Sequence, residues 1–224
     1  ATAQAPRGGL FAPLRQRDFT RLWLAGGLWW QAMWIEQVAL GWIALELTDS
    51  AWWVAVVAFC RAVPLPIVGL FGPILGERFL RRHLVLFLQS VNLAGASALL
   101  LLHLVGGLQY WHLTVVAFVN GTAWALDWPT RRALVPDLVG RDRVVDGMVL
   151  ENVLQGLTRC TGPLLAGASM DLLGTGGALV LLIFMSAGGV ILLSGLQTDS
   201  RSPVPPQGVR AAVLRLREGL AFVR

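Results

Sequence analysis

Residues 83–126, HLVLFLQSVNLAGASALLLLHLVGGLQYWHLTVVAFVNGTAWAL, form a run of 44 residues without an Asp, Glu, Lys or Arg. A membrane-spanning helix needs about 20 mostly apolar residues, so this stretch can supply two helices and the turn between them. Residues 172–198 are a second uncharged stretch, 27 residues long, which can supply one more. The two stretches predict a protein that crosses a membrane through helices.

The composition of the whole chain also sets it apart from soluble proteins. Its 224 residues are 55% hydrophobic and 14% charged, whereas about a quarter of the residues in a soluble domain are charged. The length leaves room for six helices with their connections, or for one or two helices and a soluble domain. The placement of the charges decides between these alternatives.

All 18 basic residues are arginines, and 16 of them fall on alternate connections between the apolar stretches. They precede the first stretch, separate the second from the third and the fourth from the fifth, and follow the sixth. Because basic residues collect on the cytoplasmic side of membrane proteins, this pattern predicts six helices with both termini in the cytoplasm. The net charge of +5, which in a soluble chain would indicate nucleic acid, is explained by topology, and we predict no nucleic-acid partner.

The chain divides into three predicted segments. A cytoplasmic tail of residues 1–18 precedes an all-α transmembrane bundle of residues 19–197, and a cytoplasmic linker of residues 198–224 carries an amphipathic helix suited to the inner leaflet. Gly-Pro pairs 90 residues apart, at 72–73 and 162–163, favour two three-helix repeats of inverted orientation. The six predicted helices are residues 19–47, 51–76, 83–103, 110–135, 144–172 and 176–197.

Three charged residues lie deep inside the predicted bundle: Glu36, Arg61 and Arg159 are about 10 or 11 residues from the outer ends of helices 1, 2 and 5. At 1.5 Å per residue this depth is about 15 to 16 Å, the middle of an apolar core about 30 Å thick. Charges at this depth are costly and mark transport pathways. We expect Glu36 to alternate between pairing with Arg61 or Arg159 and binding a proton. The alternative is a permanent ion pair that only holds helices together.

The connection between predicted helices 2 and 3 reads GPILGERFLRR, residues 72–82. Gly72 allows close helix approach, and the turn groups one carboxylate with three guanidinium groups able to form a charge network, from Glu77, Arg78, Arg81 and Arg82. The segment resembles the loop signature of the major facilitator superfamily, G-x-x-x-D-R-x-G-R-R/K. Two positions depart from it, because Glu77 replaces Asp and Leu80 replaces Gly or a small polar residue.

Two further stretches resemble the same superfamily. Residues 125–139, ALDWPTRRALVPDLV, look like the end of helix 4 in its multidrug and siderophore exporter branch. Residues 156–167, GLTRCTGPLLAG, are similar to the helix 5 motif of its antiporters, represented here by Gly156, Gly162, Pro163 and Gly167. The resemblance implies that the arginine-rich loop is a cytoplasmic latch, with Asp127 as the partner of Arg78 or Arg81.

In this superfamily helices 1 and 4 line the substrate cavity, so the resemblance implies a cavity wall containing Trp29, Met33, Asn120 and Trp124. An aromatic, thioether and amide wall suits a large amphipathic solute. The alternative is that the two tryptophans face lipid or neighbouring helices. On helix 5, Glu151, Gln155 and Arg159 recur at i, i+4, i+8 spacing, which is also typical of a local stabilising ladder.

Members of the superfamily have twelve helices, so the resemblance implies the N-terminal half of a transporter, completed by a C-terminal half or a second chain. It implies a proton-coupled antiporter in the plasma membrane that exports amphipathic molecules such as drugs or siderophores. The alternatives are an importer of the same superfamily and a half-length membrane protein that assembles with or regulates others. We predict neither enzymatic activity nor a metal or cofactor, because no metal-ligand spacing or phosphate-binding glycine loop is present. The predicted partners are the lipid bilayer, a small-molecule substrate and protons.

Overall fold

The computed structural model describes residues 9–68 and 80–196, and these residues form helices without a β-strand. The all-α class predicted from the sequence is therefore confirmed. In chain order the elements are a 3-10 helix at Ala12–Arg15, α1 (Arg17–Thr48), α2 (Ala51–Ala62), α3 (Arg81–Leu104), α4 (Tyr110–Val139), a 3-10 turn at Arg141–Arg143, and α5 (Val144–Ser194). After a turn residue at Val63, helical conformation resumes at residues 64–68.

The long element α5 consists of two helices joined at Gly174. Gly174 has φ 70° and ψ −173°, a conformation that glycine adopts readily and that other residues avoid. Ala166 and Leu182, on either side of this point, lie in the same apolar cluster, so the chain reverses direction. The resulting arms, residues 144–173 and 175–194, fall close to predicted helices 5 and 6.

Helix α1 packs between the two arms of α5. The first arm runs parallel to α1, because Leu154 lies against Gly27 and, further along both helices, Gly162 lies against Trp34. The second arm runs antiparallel to α1, since it ends where Arg21 donates to the carbonyl of Gly195. α1 therefore contacts α5 along most of its length.

Three helices in the described ranges are long and apolar enough to cross a membrane: Ala51–Val68, Arg81–Leu104 and Arg141–Ser194. Large apolar side chains on their outer faces are more than 60% exposed, among them Phe59, Phe87 and Phe184. A soluble protein buries such residues, whereas lipid solvates them. Buried charged side chains also occur in the bundle, among them Glu36 on α1, Arg61 on α2, Asp127 on α4 and Glu151 on α5, and these residues form the sites described next.

The ends of the chain differ partly from the predicted segments. Residues 12–15 of the predicted tail are helical, and Thr20 Oγ1 donates to the carbonyl of Leu14 at 2.7 Å, which holds this turn against the start of α1. The predicted linker of residues 198–224 lies outside the described residues. So do Gly72, Glu77 and Arg78 of the predicted latch.

Candidate functional site

Three helices bring Glu36, Arg61 and Asn120 into one buried cluster. The Arg61 Nη1 atom lies 2.9 Å from Glu36 Oε2, and Asn120 Nδ2 donates to Glu36 Oε1. Glu36 is 1% exposed and Arg61 9%. Both carboxylate oxygens of Glu36 therefore have a hydrogen-bond donor, as a buried charge requires.

The cluster lies near mid-depth of the bundle. Arg61 and Asn120 are each ten residues from the starts of α2 and α4, and Glu36 is twelve residues before the end of α1. At 1.5 Å per residue these positions are about 15 to 18 Å from one end of the helices. The depth in the membrane that the sequence suggests for Glu36 and Arg61 stays a prediction.

Close contact between α2 and α4 makes this geometry possible. A Cβ atom added to Gly121 would clash with the backbone carbonyl of Arg61, so only glycine lets the two backbones touch here. Gly121 is not among the residues predicted from the sequence. Its position next to Asn120 in an apolar helix was the available indication, because small residues mark close helix crossings in membranes.

Arg159, predicted at the same depth, lies elsewhere. It is exposed, and its guanidinium carbon is 5.5 Å from the centre of the Trp34 ring, the geometry of a cation–π contact. The structure therefore pairs Glu36 with Arg61 and places Arg159 against an indole ring. Glu151 and Arg159, the two ends of the predicted ladder on helix 5, also lie in different surroundings, because Glu151 is buried and Arg159 is exposed.

In the helix 5 motif, Gly162 lies in close contact with α1, whereas Gly156 and Gly167 do not contact another described helix. A Cβ on Gly162 would clash with Cβ of Trp34 on α1, whereas a Cβ on Gly156 or Gly167 would meet no described atom within 4 Å. α5 continues through Pro163 without non-helical dihedral angles. Gly162 thus sets the spacing of α1 and α5, and the other two glycines face away from the described helices.

We expect Gly162→Ala to destabilise the bundle by about 1–3 kcal/mol, the usual consequence of overpacking a tight contact. Gly41→Ala, on α1, is the matched control, because a Cβ there would lie 3.7 Å from Val54 Cγ1, an ordinary van der Waals distance. It should be neutral or stabilising by up to about 1 kcal/mol, because alanine favours helix more than glycine does. Thermal unfolding in lipid nanodiscs measures both variants, and equal melting temperatures would contradict the close contact.

A second buried cluster lies further along α4. Arg131 is fully buried, and its Nε and Nη2 atoms lie 3.1 and 3.5 Å from the two carboxylate oxygens of Asp127. Its Nη1 atom donates to the carbonyl of Leu22 on α1 at 3.2 Å. Glu151, on α5, is 7% exposed and faces the same region. Asp127 is therefore paired within its own helix.

The described arginines of the predicted latch bind other partners than Asp127. Arg81 Nη1 lies 2.7 Å from Asp137 Oδ2 and donates to the carbonyl of Ala133 at 3.0 Å. Arg82 Nη2 donates to the carbonyl of Ser194 at 3.2 Å. These contacts tie the start of α3 to the ends of α4 and α5. In this conformation Arg81 and Asp127 are not brought together.

Of the four predicted cavity residues, Trp124 lines a cavity of about 320 Å³. Trp29 and Met33 are buried in an apolar cluster with Trp30 and Leu88, and Asn120 binds Glu36. Sequence reasoning missed two further lining residues, although they follow Trp124 at i+4 and i+8. Trp128 stacks on Trp124 with ring centres 6.3 Å apart, and the Arg132 guanidinium lies 4.8 Å from the Trp128 ring centre.

Comparisons with known proteins agree with the resemblance of the motifs. The family described as transmembrane secretion effector matches residues 8–224. The Staphyloferrin A transporter of Staphylococcus aureus (strain NCTC 8325 / PS 47) is 24% identical over 135 residues, which are 60% of this chain. The matched part covers 34%, about a third, of the length of that relative. Because the family match extends over nearly all of the chain, the protein belongs to the transmembrane secretion effector family of the major facilitator superfamily, whose members are multi-pass membrane transport proteins and not enzymes.

Proposed function

We propose that this chain is the N-terminal six-helix half of a proton-coupled exporter of amphipathic small molecules, and that Glu36 binds the coupling proton. The observation that supports this proposal is the buried cluster of Glu36, Arg61 and Asn120, which joins three helices near mid-depth. Transporters hold substrates and coupling ions in this layer. The match to a Staphyloferrin A transporter supports a small-molecule substrate.

The six spans of the proposal are α1, the helix beginning at Ala51, α3, α4 and the two arms of α5. The arms contain about 30 and 20 residues and extend about 45 and 30 Å, enough for each to cross an apolar core. The arginines near one end of the bundle, and the Trp53 and Tyr110 ring pair at the other, support an orientation with both termini in the cytoplasm of the cell and an aromatic belt outside. Inverted three-helix repeats are part of this proposal.

Coupling in this proposal follows from the bonds that Glu36 makes. A proton on Glu36 removes the charge that holds Arg61, so the ion pair between α1 and α2 weakens. Asn120 can still share a hydrogen bond with the neutral acid through its amide. Proton binding therefore loosens α2 while α1 and α4 remain connected, which links protonation to a change of helix packing.

We assign the substrate and the second half of the transporter to different faces of the bundle. Trp124, Trp128 and Arg132 offer stacked rings and a positive charge to an amphipathic solute. The face of α5 that contains Gly156 and Gly167 also exposes Leu157 and Leu164 by more than half. We assign this face to the C-terminal half of the transporter or to a second chain that replaces it.

Transport by the complete protein in proteoliposomes tests the proposal. With staphyloferrin A or a fluorescent amphipathic dye as the probe, we expect movement opposite to an imposed proton gradient and no movement after a protonophore collapses it. Movement in the direction of the protons would show an importer. If no probe crosses the membrane of sealed vesicles under any gradient, the result would favour the alternative of a half-length membrane protein that assembles with or regulates others.

A further inference from the structure

The second buried cluster contains two carboxylates but only one fully buried guanidinium. Asp127 is seven residues beyond Asn120 on α4, about 10 Å nearer the opposite end of the bundle. Asp127 and Arg131 are fully buried, and Glu151 reaches them from α5 at 7% exposure. The cluster is therefore distinct from the layer that contains Glu36.

Each nitrogen of the Arg131 guanidinium donates to a group other than Glu151. Nε and Nη2 face Asp127, and Nη1 donates to the carbonyl of Leu22. Glu151 Oε1 has no hydrogen-bond partner among the described residues. A Cβ placed on Gly26 would lie 3.2 Å from Arg131 Nη1 and 3.6 Å from Glu151 Oε1, so the carboxyl group points into the cluster from across Gly26.

Neither arginine near Glu151 forms an ion pair with it in this arrangement. Among the described residues, the charged side chains that face it are Arg131, Asp127 and Arg132, all on α4, and α1 contributes uncharged Gly26. Arg132 Nη2 donates to Asn152 Oδ1 at 3.0 Å and its guanidinium stacks on Trp128. Within the described ranges no ion pair under 4 Å includes Glu151. An ionised carboxylate in this position would cost several kcal/mol.

We propose that Glu151 carries a proton in this conformation, so that Asp127, Arg131 and Glu151 form a proton-binding site separate from Glu36. One proton neutralises Glu151, and the remaining Asp127–Arg131 pair has no excess charge. The proton passes to water when the inner part of α5 moves away from α1 and exposes the carboxyl group to solvent and to Arg132. This site does not depend on the direction or substrate of transport.

The test uses the complete protein in lipid nanodiscs at neutral pH, without substrate. Infrared spectroscopy should show the carbonyl stretch of a protonated carboxylic acid, which is lost in Glu151→Gln and retained in Glu36→Gln. A wild-type spectrum without this band, or a band that Glu151→Gln leaves intact, would overturn the proposal. Neither result depends on whether Glu36 drives transport, so failure here is distinct from failure of the proposed function.

Thermal unfolding provides a second readout on the same samples. Glutamine resembles neutral glutamic acid in shape and charge, so Glu151→Gln should melt close to the wild type. The comparison variant Asp127→Asn removes the charge that Arg131 binds and should melt at a clearly lower temperature. If Glu151→Gln fails to fold, or is destabilised as much as Asp127→Asn, Glu151 is ionised and the proposal is wrong.

Discussion

Replacing Glu36 by glutamine is expected to reduce proton-driven transport to the level of empty vesicles while substrate binding persists. Glutamine keeps an oxygen that can accept from Arg61 or Asn120, the two donors that hold Glu36 in the structure. It cannot bind or release a proton. The bundle should therefore remain assembled while the coupling step is lost, although its melting temperature should fall because the buried Arg61 charge loses its partner.

Two measurements separate the loss of proton coupling from a loss of substrate binding. Transport of the probe is measured in proteoliposomes under an imposed proton gradient, and binding is measured by quenching of tryptophan fluorescence. Glu46→Gln is the matched control, because Glu46 lies on the same helix but is exposed and accepts from Trp42 Nε1 at 2.8 Å. It should transport normally. Driven transport that survives in Glu36→Gln would show that the coupling assignment is wrong.

The sequence predicts how deep a residue lies much better than which way it faces. An uncharged run of 44 residues, bounded by Arg82 and Asp127, leaves few possible positions for α3 and α4, and both helices begin within two residues of the prediction. Counting residues from a helix end gives the height of Glu36, Arg61 and Arg159 in the same way. Rotation about each helix axis then decides the contacts, and it turns Arg159 towards Trp34.

Packing against neighbours is the part that residue patterns could not supply. Trp29 and Met33 do share a helix face with Glu36, but Leu88 of α3 covers them. Asp127 could be assigned to a loop arginine or to Arg131, and the i, i+4 spacing to Arg131 was a local indication of the pairing found. The clash expected at Gly121 depends on where α2 crosses α4, which no pattern within either helix specifies.

Replacing Arg61 by methionine is expected to have the largest effect on stability. The substitution retains much of the side-chain volume but leaves Glu36, 1% exposed, with Asn120 as its remaining donor. Removing one partner of a buried ion pair typically destabilises a protein by about 3–5 kcal/mol. Thermal unfolding in nanodiscs measures the loss. Arg81→Met is the matched control, because its pair with Asp137 is partly exposed and should contribute only about 0–1 kcal/mol.

The double variant Glu36→Gln/Arg61→Met separates a structural ion pair from a coupling residue. It removes both charges, so most of the stability lost in Arg61→Met should return, because no uncompensated carboxylate remains buried. A permanent structural pair predicts that transport returns together with stability. Coupling through Glu36 predicts a stable bundle that binds the probe but does not respond to the proton gradient. If Arg61→Met alone melts like the wild type, the ion pair contributes little to holding α1 and α2 together.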